Sequence, residues 1–407
     1  MVSGREGFDP ASPCLVIAPH LEYPIRSGAD ILIDRKYAHF SEHVPFVDII
    51  GKEAIVRYSD GKPVQSTPYK NVRVGKAVAA AATLYNRSHY LLEKFVTRDF
   101  VETMRRYFSD PDYRMVVFSF VWTAAIAHRL PKIDDRLCCI ETHNDEFKWY
   151  EDIRKSSVNP LAKLTASFSE RWARSFVEEY GSGFLFLHVS EADQKGFSRR
   201  FPDHRSCVVP TGADVAHDRS FSQENLAMYE KTRLIFVGSL GVKINFDALD
   251  NFNKRFYPVL KEELEENLEM LIVGSNPSRR VTKLCWKAGW KLHPNVSDQE
   301  LRRLYGISTF SILPFNYTTG SKLKLLDSLA HGVPYLATSS LRDQAEEEIY
   351  PCLVSNDPKE WSERARDVGR RGITEEERVL LKDQAQRHSW KSIARLMFEM
   401  LSRDQCA

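Results

Sequence analysis

The sequence predicts an α/β protein of two domains, each built on a doubly wound parallel sheet. Three observations carry that expectation. At 407 residues the chain exceeds the size at which one hydrophobic core stops growing. Short apolar runs alternate with helical patterns, as in sheets covered by helices. The alternation stops at a polar, irregular stretch, residues 213–231, and restarts beyond it. The expected division is residues 1–215, residues 216–385, and a closing helix over 386–407.

In the first half CLVIAPH (14–20) reads as a buried strand, followed by a loop with Pro24 and Gly28 and a helix over 31–39. VVFSF (116–120), LCCIETH (137–143) and FLFLHVS (184–190) read as further buried strands. Between the last two, residues 147–179 form one long helical stretch anchored by Trp149, Trp172 and Phe176. CVVPTGADV (207–215) closes this half, because Pro210 and Gly212 break regular structure. In the second half five strands are expected: RLIFVGS (233–239), EMLIVGS (269–275), WKLHP (290–294), FSILP (310–314) and YLATS (335–339). Helices separate them over 246–264, 278–289 and 298–306, the last capped by Asp298, and in the segment after FSILP. At the end Trp390, Ile393, Ala394, Met397, Phe398 and Leu401 recur at helical spacing.

Composition excludes several classes. Hydrophobic content of 43%, charged content of 28% and a net charge of +2 describe an ordinary globular chain, too weakly basic to imply nucleic acid. Seven scattered cysteines without metal-type spacing suggest reduced thiols and a cytoplasmic setting. The opening MVSGREGFDPASP lacks the apolar stretch of a signal peptide, and MVVFSFVWTAAIA (115–127) is too short to span a bilayer. Residues 85–108 mix aromatic, apolar and basic side chains at near-helical spacing. They fit an interfacial helix at a membrane surface or an ordinary helix packed on the sheet.

Ligands of open parallel sheets bind beyond the carboxyl ends of the strands. Three loops of the second half fall there: GSLGVKIN (238–245), GSNPSRR (274–280) and PFNYTTGSK (314–322). Gly320 and Ser321 at a helix start offer backbone N–H groups to an anion. Lys322 and Lys324 add positive charge, and Lys243 can join them. Asp327 follows about 7–8 Å along the axis from Lys322, within reach of a ribose attached to a diphosphate. Taken alone, the same residues also fit a solvated helix face. Neither a G-x-G-x-x-G nor a G-x-x-x-x-G-K-[ST] fingerprint occurs, which disfavours a nicotinamide dehydrogenase and a P-loop enzyme. Asp110 and Asp112 in SDPDYR precede a strand and fit a turn. His143, directly after LCCIET, can bond a sugar hydroxyl or cap the next helix.

These segments resemble the donor half of retaining, nucleotide-sugar-dependent glycosyltransferases of the GT-B fold, in particular the large fourth family. FVGSLGVKINFDAL (236–249), LIVGSNP (271–277), GWKLHPNVSDQELRRLY (289–305) and ILPFNYTTGSKLKLLDSLAHGVPYLATS (312–339) carry the likeness. APHLEYPIRSGAD (18–30), THNDEFKWYE and VSEADQKGFSRRFPDHRSCVVPTGADV (189–215) extend it more loosely to the first half.

The resemblance implies two Rossmann-like domains facing a cleft, an acceptor-binding first domain, a nucleotide-sugar-binding second domain and a C-terminal helix crossing back to the first. It implies retaining transfer of a sugar from a nucleoside diphosphate, with no separate cofactor and no obligatory metal. The product would be a surface polysaccharide, glycolipid or other glycoconjugate. The acceptor would be a glycan, a lipid-linked compound or a small molecule, with peripheral contact at the inner membrane face. By the same likeness Gly320, Ser321, Lys322 and Lys324 form the diphosphate cradle, with Gly238, Ser239 and Lys243 beside it. Asp327 stands where the family usually has a ribose-binding glutamate. Gly28 falls in the loop against the leaving group, and His143 near the active-site histidine or acid. Two departures stand out: Ser239 replaces a common arginine, and Thr319 replaces the first glutamate of an E-x7-E pair. They leave two other readings open, a non-catalytic GT-B partner or glycan-binding protein, and a sugar-nucleotide epimerase on the same frame.

Overall fold

The computed structural model describes residues 8–23, 25, 28–129, 136–157, 159–215, 231–316, 323–344 and 349–403. The chain divides into two compact units. Of the described residues, those within 8–211 and 390–403 form the first, and those within 212–316 and 323–389 the second.

In the first unit β1 (Cys14–Ile17) leads to α1 (Gly28–Phe40), β2 (Val47–Ile50), β3 (Ala54–Ser59) and β4 (Lys62–Pro68). Then come α2 (Lys76–Asn86), α3 (Tyr90–Phe95), α4 (Arg98–Phe108), β5 (Met115–Ser119) and α5 (Val121–Ala124). The unit continues with β6 (Leu137–Thr142), α6 (Glu146–Ser156), α7 (Pro160–Tyr180), β7 (Leu185–His188), α8 (Glu191–Arg200) and β8 (Ser206–Val208). The eight strands are ordered β4-β3-β2-β1-β5-β6-β7-β8. All neighbours from β2 to β8 run parallel, and β3 and β4 add antiparallel to the β2 edge. This hairpin is absent from the expected element list. Its turn is Asp60-Gly61, both at positive φ of 48° and 75°, the backbone a two-residue hairpin needs. β4 carries two prolines and is mostly exposed, so it has no apolar alternation to find.

The expected single helix over 147–179 is two helices. Ser157 caps the end of α6, and Asn159 caps the start of α7 by accepting from the Leu161 N–H at 3.0 Å. Pro160 occupies the first turn of α7, where its missing N–H costs nothing. The stretch 85–108 is likewise broken: the Thr97 hydroxyl accepts from the Phe100 N–H and starts α4. Phe100, Met104 and Phe108 then bury into the core of this unit, which is the packing of an ordinary amphipathic helix.

The second unit runs β9 (Thr232–Val237), α9 (Lys243–Asn251), a π-helical turn over Phe252–Phe256, α10 (Tyr257–Leu264), β10 (Leu268–Gly274), α11 (Arg279–Ala288) and β11 (Lys291–Pro294). It continues α12 (Asp298–Gly306), β12 (Phe310–Leu313), α13 (Leu323–Ala330), β13 (Tyr335–Ala337), β14 (Leu353–Val354), α14 (Pro358–Arg371) and α15 (Glu375–Arg387). Six strands form one parallel sheet, β11-β10-β9-β12-β13-β14, one strand more than expected. The added β14 is only two residues long. α12 is capped by Ser297 rather than Asp298: the Ser297 hydroxyl accepts from the Glu300 N–H at 3.2 Å, and Asp298 is the first helical residue. Both faces of this sheet are buried. Leu234 and Phe236 of β9 enter the larger core, while Ile235 between them joins Leu271, Val273 and Leu304 on the other face.

The last helix, α16 (Trp390–Ser402), returns to the first unit and packs on α1. The Phe398 ring lies 6.5 Å from Phe40 and stacks on His43 at 5.1 Å, and Lys391 bonds Glu42 at 2.8 Å.

Candidate functional site

The strand order of the second unit places a topological switch at β9 and β12. From β9 the chain proceeds to β10 on one side; from β12 it proceeds to β13 on the other. Loops leaving the carboxyl ends of these two strands therefore diverge and leave a crevice between them.

The loops on the β9 side are interlocked. The Gly238 N–H donates to Val273 O at 3.1 Å, Leu240 N–H to Ser275 O at 2.8 Å, and Ser278 N–H to Leu240 O at 3.2 Å. Gly274 approaches so closely that a Cβ there would stand 1.7 Å from the Gly238 carbonyl oxygen. Asn245, in the first turn of α9, donates its side-chain amide to Ser239 O at 2.8 Å. Its Oδ1 is buried with no partner among the described residues.

On the β12 side the chain is pinned at two carbonyls. Asn251 donates to Pro314 O at 3.0 Å, and Ser340 donates to Phe315 O at 2.7 Å beside a second bond from Thr338. Lys324, in the first turn of α13, bridges the two sides. Its Nζ lies 5.1 Å from the centroid of the Phe315 ring. Its Cε would stand 3.3 Å from a Cβ at Gly238. Burial pushes the Lys324 ammonium below its usual range, with Asp327 opposing the shift.

Asp327 lies one turn further along α13. Burial pushes its carboxyl up to about 7, the Asp214 carboxylate adds to the rise, and Lys324 opposes it. Tyr305, which stacks on His331 at 4.2 Å, is also held above its usual range, by burial first and by Asp327 second. His331 Nδ1 in turn meets Asp327 O at 2.7 Å. A partly buried carboxyl and an ammonium on one helical turn thus stand at the strand ends.

Of the residues singled out from the sequence, Gly238, Ser239, Lys324 and Asp327 come together at this edge. Lys243 opens α9 and bonds Asp247 at 2.5 Å on its own helix. Thr319, Gly320, Ser321 and Lys322 lie outside the described residues. Asn245, Phe315 and Thr338 are missing from the sequence-based candidates. Their common signal is position, since each lies in or just beyond the carboxyl-end loops, but their role in holding those loops depends on tertiary contacts.

The first unit has a second polar group at its own strand ends. His143 directly follows β6, bonds Ser119 at 2.7 Å through Nε2, and stacks on Phe120 at 4.1 Å. Burial holds His143 down at about 3, with Lys36 adding to the effect. His143 does not cap α6; Asp145 does, accepting from the Lys148 N–H at 3.1 Å. Glu141, its neighbour on β6, is consumed by Lys36 and Tyr37 at 2.5 and 2.6 Å. Glu146 accepts from the Val121 N–H at 2.9 Å, and burial pushes it up to about 8, against that bond and aided by Asp145. Its Oε2, His143 Nδ1 and the Trp122 N–H are buried without partners among the described residues. Phe120, between these groups, holds φ 74° and ψ 154°, a conformation that costs a non-glycine residue roughly 1–3 kcal/mol. Gly28 opens α1 in the same unit.

Both units have the fold of GT-B glycosyltransferases. Residues 231–369 match the family described as glycosyl transferases group 1. Sucrose-phosphate synthase of Thermosynechococcus elongatus superposes with a TM-score of 0.66 at 14% identity, covering 97% of this chain and 99% of that one. HepE of Anabaena in complex with UDP gives 0.60 at 11%, covering 96% and 100%. The catalytic domain of starch synthase IV of Arabidopsis thaliana, bound to ADP and acarbose, gives 0.60 at 13%, covering 97% and 99%. A comparison with curated proteins gave no match. At these identities the structural likenesses establish the fold, and the family match adds a likeness to glycosyl transferases over residues 231–369. Among the described residues no helix is long and apolar enough to cross a membrane.

Proposed function

We propose that the protein is a retaining glycosyltransferase that moves a sugar from a nucleoside-diphosphate sugar to an acceptor hydroxyl, without an obligatory metal. Its product would be a surface polysaccharide, a glycolipid or another glycoconjugate, made at the inner face of the membrane. The observation that carries this reading is Lys324, held across the switch-point crevice between Gly238 and Phe315. The solved structures of HepE in complex with UDP and with UDP-glucose support a nucleotide sugar as the donor class.

The chemistry follows from where charge develops. As the bond between the anomeric carbon and the diphosphate oxygen breaks, negative charge grows on the departing diphosphate. The acceptor oxygen forms the new bond to the anomeric carbon, and its proton passes to the departing diphosphate. A cation fixed beforehand in a site that excludes water stabilises that charge without reorganising. Lys324 supplies such a cation, and its partial burial means that it gains more from a diphosphate than an exposed lysine would. Asp327, once ionised, accepts hydrogen bonds from ribose hydroxyls. The interlocked glycine loop lets the donor backbone approach with no side chain in the way.

Incubation of the full chain with a panel of UDP-, ADP- and GDP-sugars tests this. One of them should release its nucleoside diphosphate, and Lys324→Met should lower kcat/KM about 100-fold or more, as expected for loss of charge stabilisation. No release from any donor, with or without added acceptors, would refute it. Formation of an isomeric nucleotide sugar from donor alone would identify an epimerase instead.

A further inference from the structure

A cavity of about 250 Å³ opens on the first unit, and cations line it. Lys52 follows β2, Arg73 precedes α2 and Lys94 lies on α3; His20, Asn71 and Glu22 complete the polar wall. Asn71 is fully committed to holding that wall. Its amide donates to Lys52 O at 2.7 Å and its carbonyl accepts from Thr97. Glu22 draws two of the cations together, bonding Lys52 at 3.1 Å and Arg73 at 3.3 Å, while Arg73 also bonds Glu53 at 2.9 Å.

Lys94 is different. Among the described residues no carboxylate pairs with it, and its ammonium sits 4.5 Å over the Phe95 ring. Burial lowers its proton affinity, and the charges of Lys76 and Lys52 lower it further. Cations have been brought together here with fewer anions than the arrangement calls for. His20 adds a second, independent sign. Both of its ring nitrogens are buried and without hydrogen-bond partners among the described residues, although the Asp30 carboxylate lies 4.0 Å from Nε2, and the ring lines the same cavity. Burial holds it neutral, down at about 3, so one nitrogen donates and the other accepts. The sequence around the cavity mouth adds to the field. Residues 61–92 contain Lys62, Lys70, Arg73, Lys76 and Arg87 and no aspartate or glutamate.

We propose that this cavity binds a phosphate group, presented by a phosphomonoester, with Lys94 as the principal cation and Lys52, Arg73 and His20 as further donors. A phosphate's charge complements the Lys94 ammonium, and its several acceptor oxygens suit donors that converge from α3 and from the loops carrying His20, Lys52 and Arg73. Glu22 remains bonded to Lys52 and Arg73 and fixes their spacing. If the glycosyltransferase reading holds, the acceptor is itself a phosphorylated compound; the phosphate site does not depend on that reading.

The test is calorimetric titration of the full chain with glycerol 3-phosphate and with inorganic phosphate, alongside co-sedimentation with phosphatidic acid–phosphatidylcholine vesicles. Binding of glycerol 3-phosphate should weaken about tenfold in Lys94→Gln and again in Arg73→Gln, as for loss of one charge-assisted bond. UDP binding should be unchanged in both variants. Binding confined to the vesicles, with the same dependence on Lys94 and Arg73, assigns the phosphate to a lipid headgroup. No binding to either form, or binding equal in wild type and both variants, overturns the proposal. Because UDP is titrated in parallel, failure of this site is distinguishable from failure of the donor site.

Discussion

Asp327 is the residue whose chemistry differs most from its sequence-level expectation. A carboxyl on an exposed helix face would titrate near 4, and the sequence offered that solvated reading for it. Burial first, and the nearby Asp214 carboxylate second, instead raise it to about 7, against the opposing charge of Lys324. The consequence for stability has a definite sign. The folded-state value lies above the unfolded one, so the stabilisation present below about pH 4 is lost as pH rises toward 7 and stays lost above it. Asp327→Asn should therefore gain on wild type by ~2 kcal/mol at pH 8, a figure discounted for solvent access, and by almost nothing at pH 4. Urea denaturation at the two pH values measures this, and an equal effect at both would show that the carboxyl is unperturbed. In the donor reading the same ionisation makes nucleotide affinity fall as pH drops below 7. Sequence identified Lys324 and Asp327 because both follow a strand in a repeating pattern. It placed Asn245 and Phe315 within the carboxyl-end loops but did not single them out, because their roles come from bonds to Ser239 and from the Lys324 contact.

Among elements, most buried strands were legible, though buried β2 was not, and of the edge strands β11 was legible while β4 and β14 were not. β1, β5, β6, β7, β9 and β10 are continuous apolar runs because both sides of a parallel sheet are covered. β4 and β14 have no such run, one being exposed and the other two residues long. The Asp60-Gly61 hairpin did carry a local signal, the turn chemistry itself, which is readable without any apolar pattern. Helix breaks were missed where a single cap decides them, as at Asn159 and Thr97. The element that matters most to the site is the pair of loops after β9 and β10. Gly274→Ala would drive a methyl into the Gly238 carbonyl, and relieving that clash should cost at least about 3 kcal/mol. Because Gly238 borders Lys324, weakened UDP binding should accompany the loss of stability. A stable Gly274→Ala variant with native UDP affinity would show that the interlock has no bearing on the site.

For the whole molecule, the two-unit architecture follows from chain length and the restart of the alternating pattern. The helix α16 was legible too, in the spacing of Trp390, Ile393, Ala394, Met397 and Leu401, all of them buried, whereas its return to the first unit was implied only by the family resemblance. Which surface they cover was not, since a stripe of apolar residues does not name its partner; α1 supplies it through Phe40 and His43. Removing residues 390–407 should lower the melting transition of the first unit by on the order of 10 °C and leave that of the second in place. Differential scanning calorimetry distinguishes this from a uniform shift, which would mean that the two units unfold as one.

The central claim is that Lys324 marks a nucleoside-diphosphate site at the switch point of the second unit. Isothermal titration of the full chain with UDP, ADP and GDP, in wild type and Lys324→Met, tests it most directly. The account predicts that at least one nucleotide binds wild type and binds the variant at least about tenfold more weakly, the loss of one charge-assisted contact. Absence of binding by all three, or equal affinity in both proteins, would contradict it.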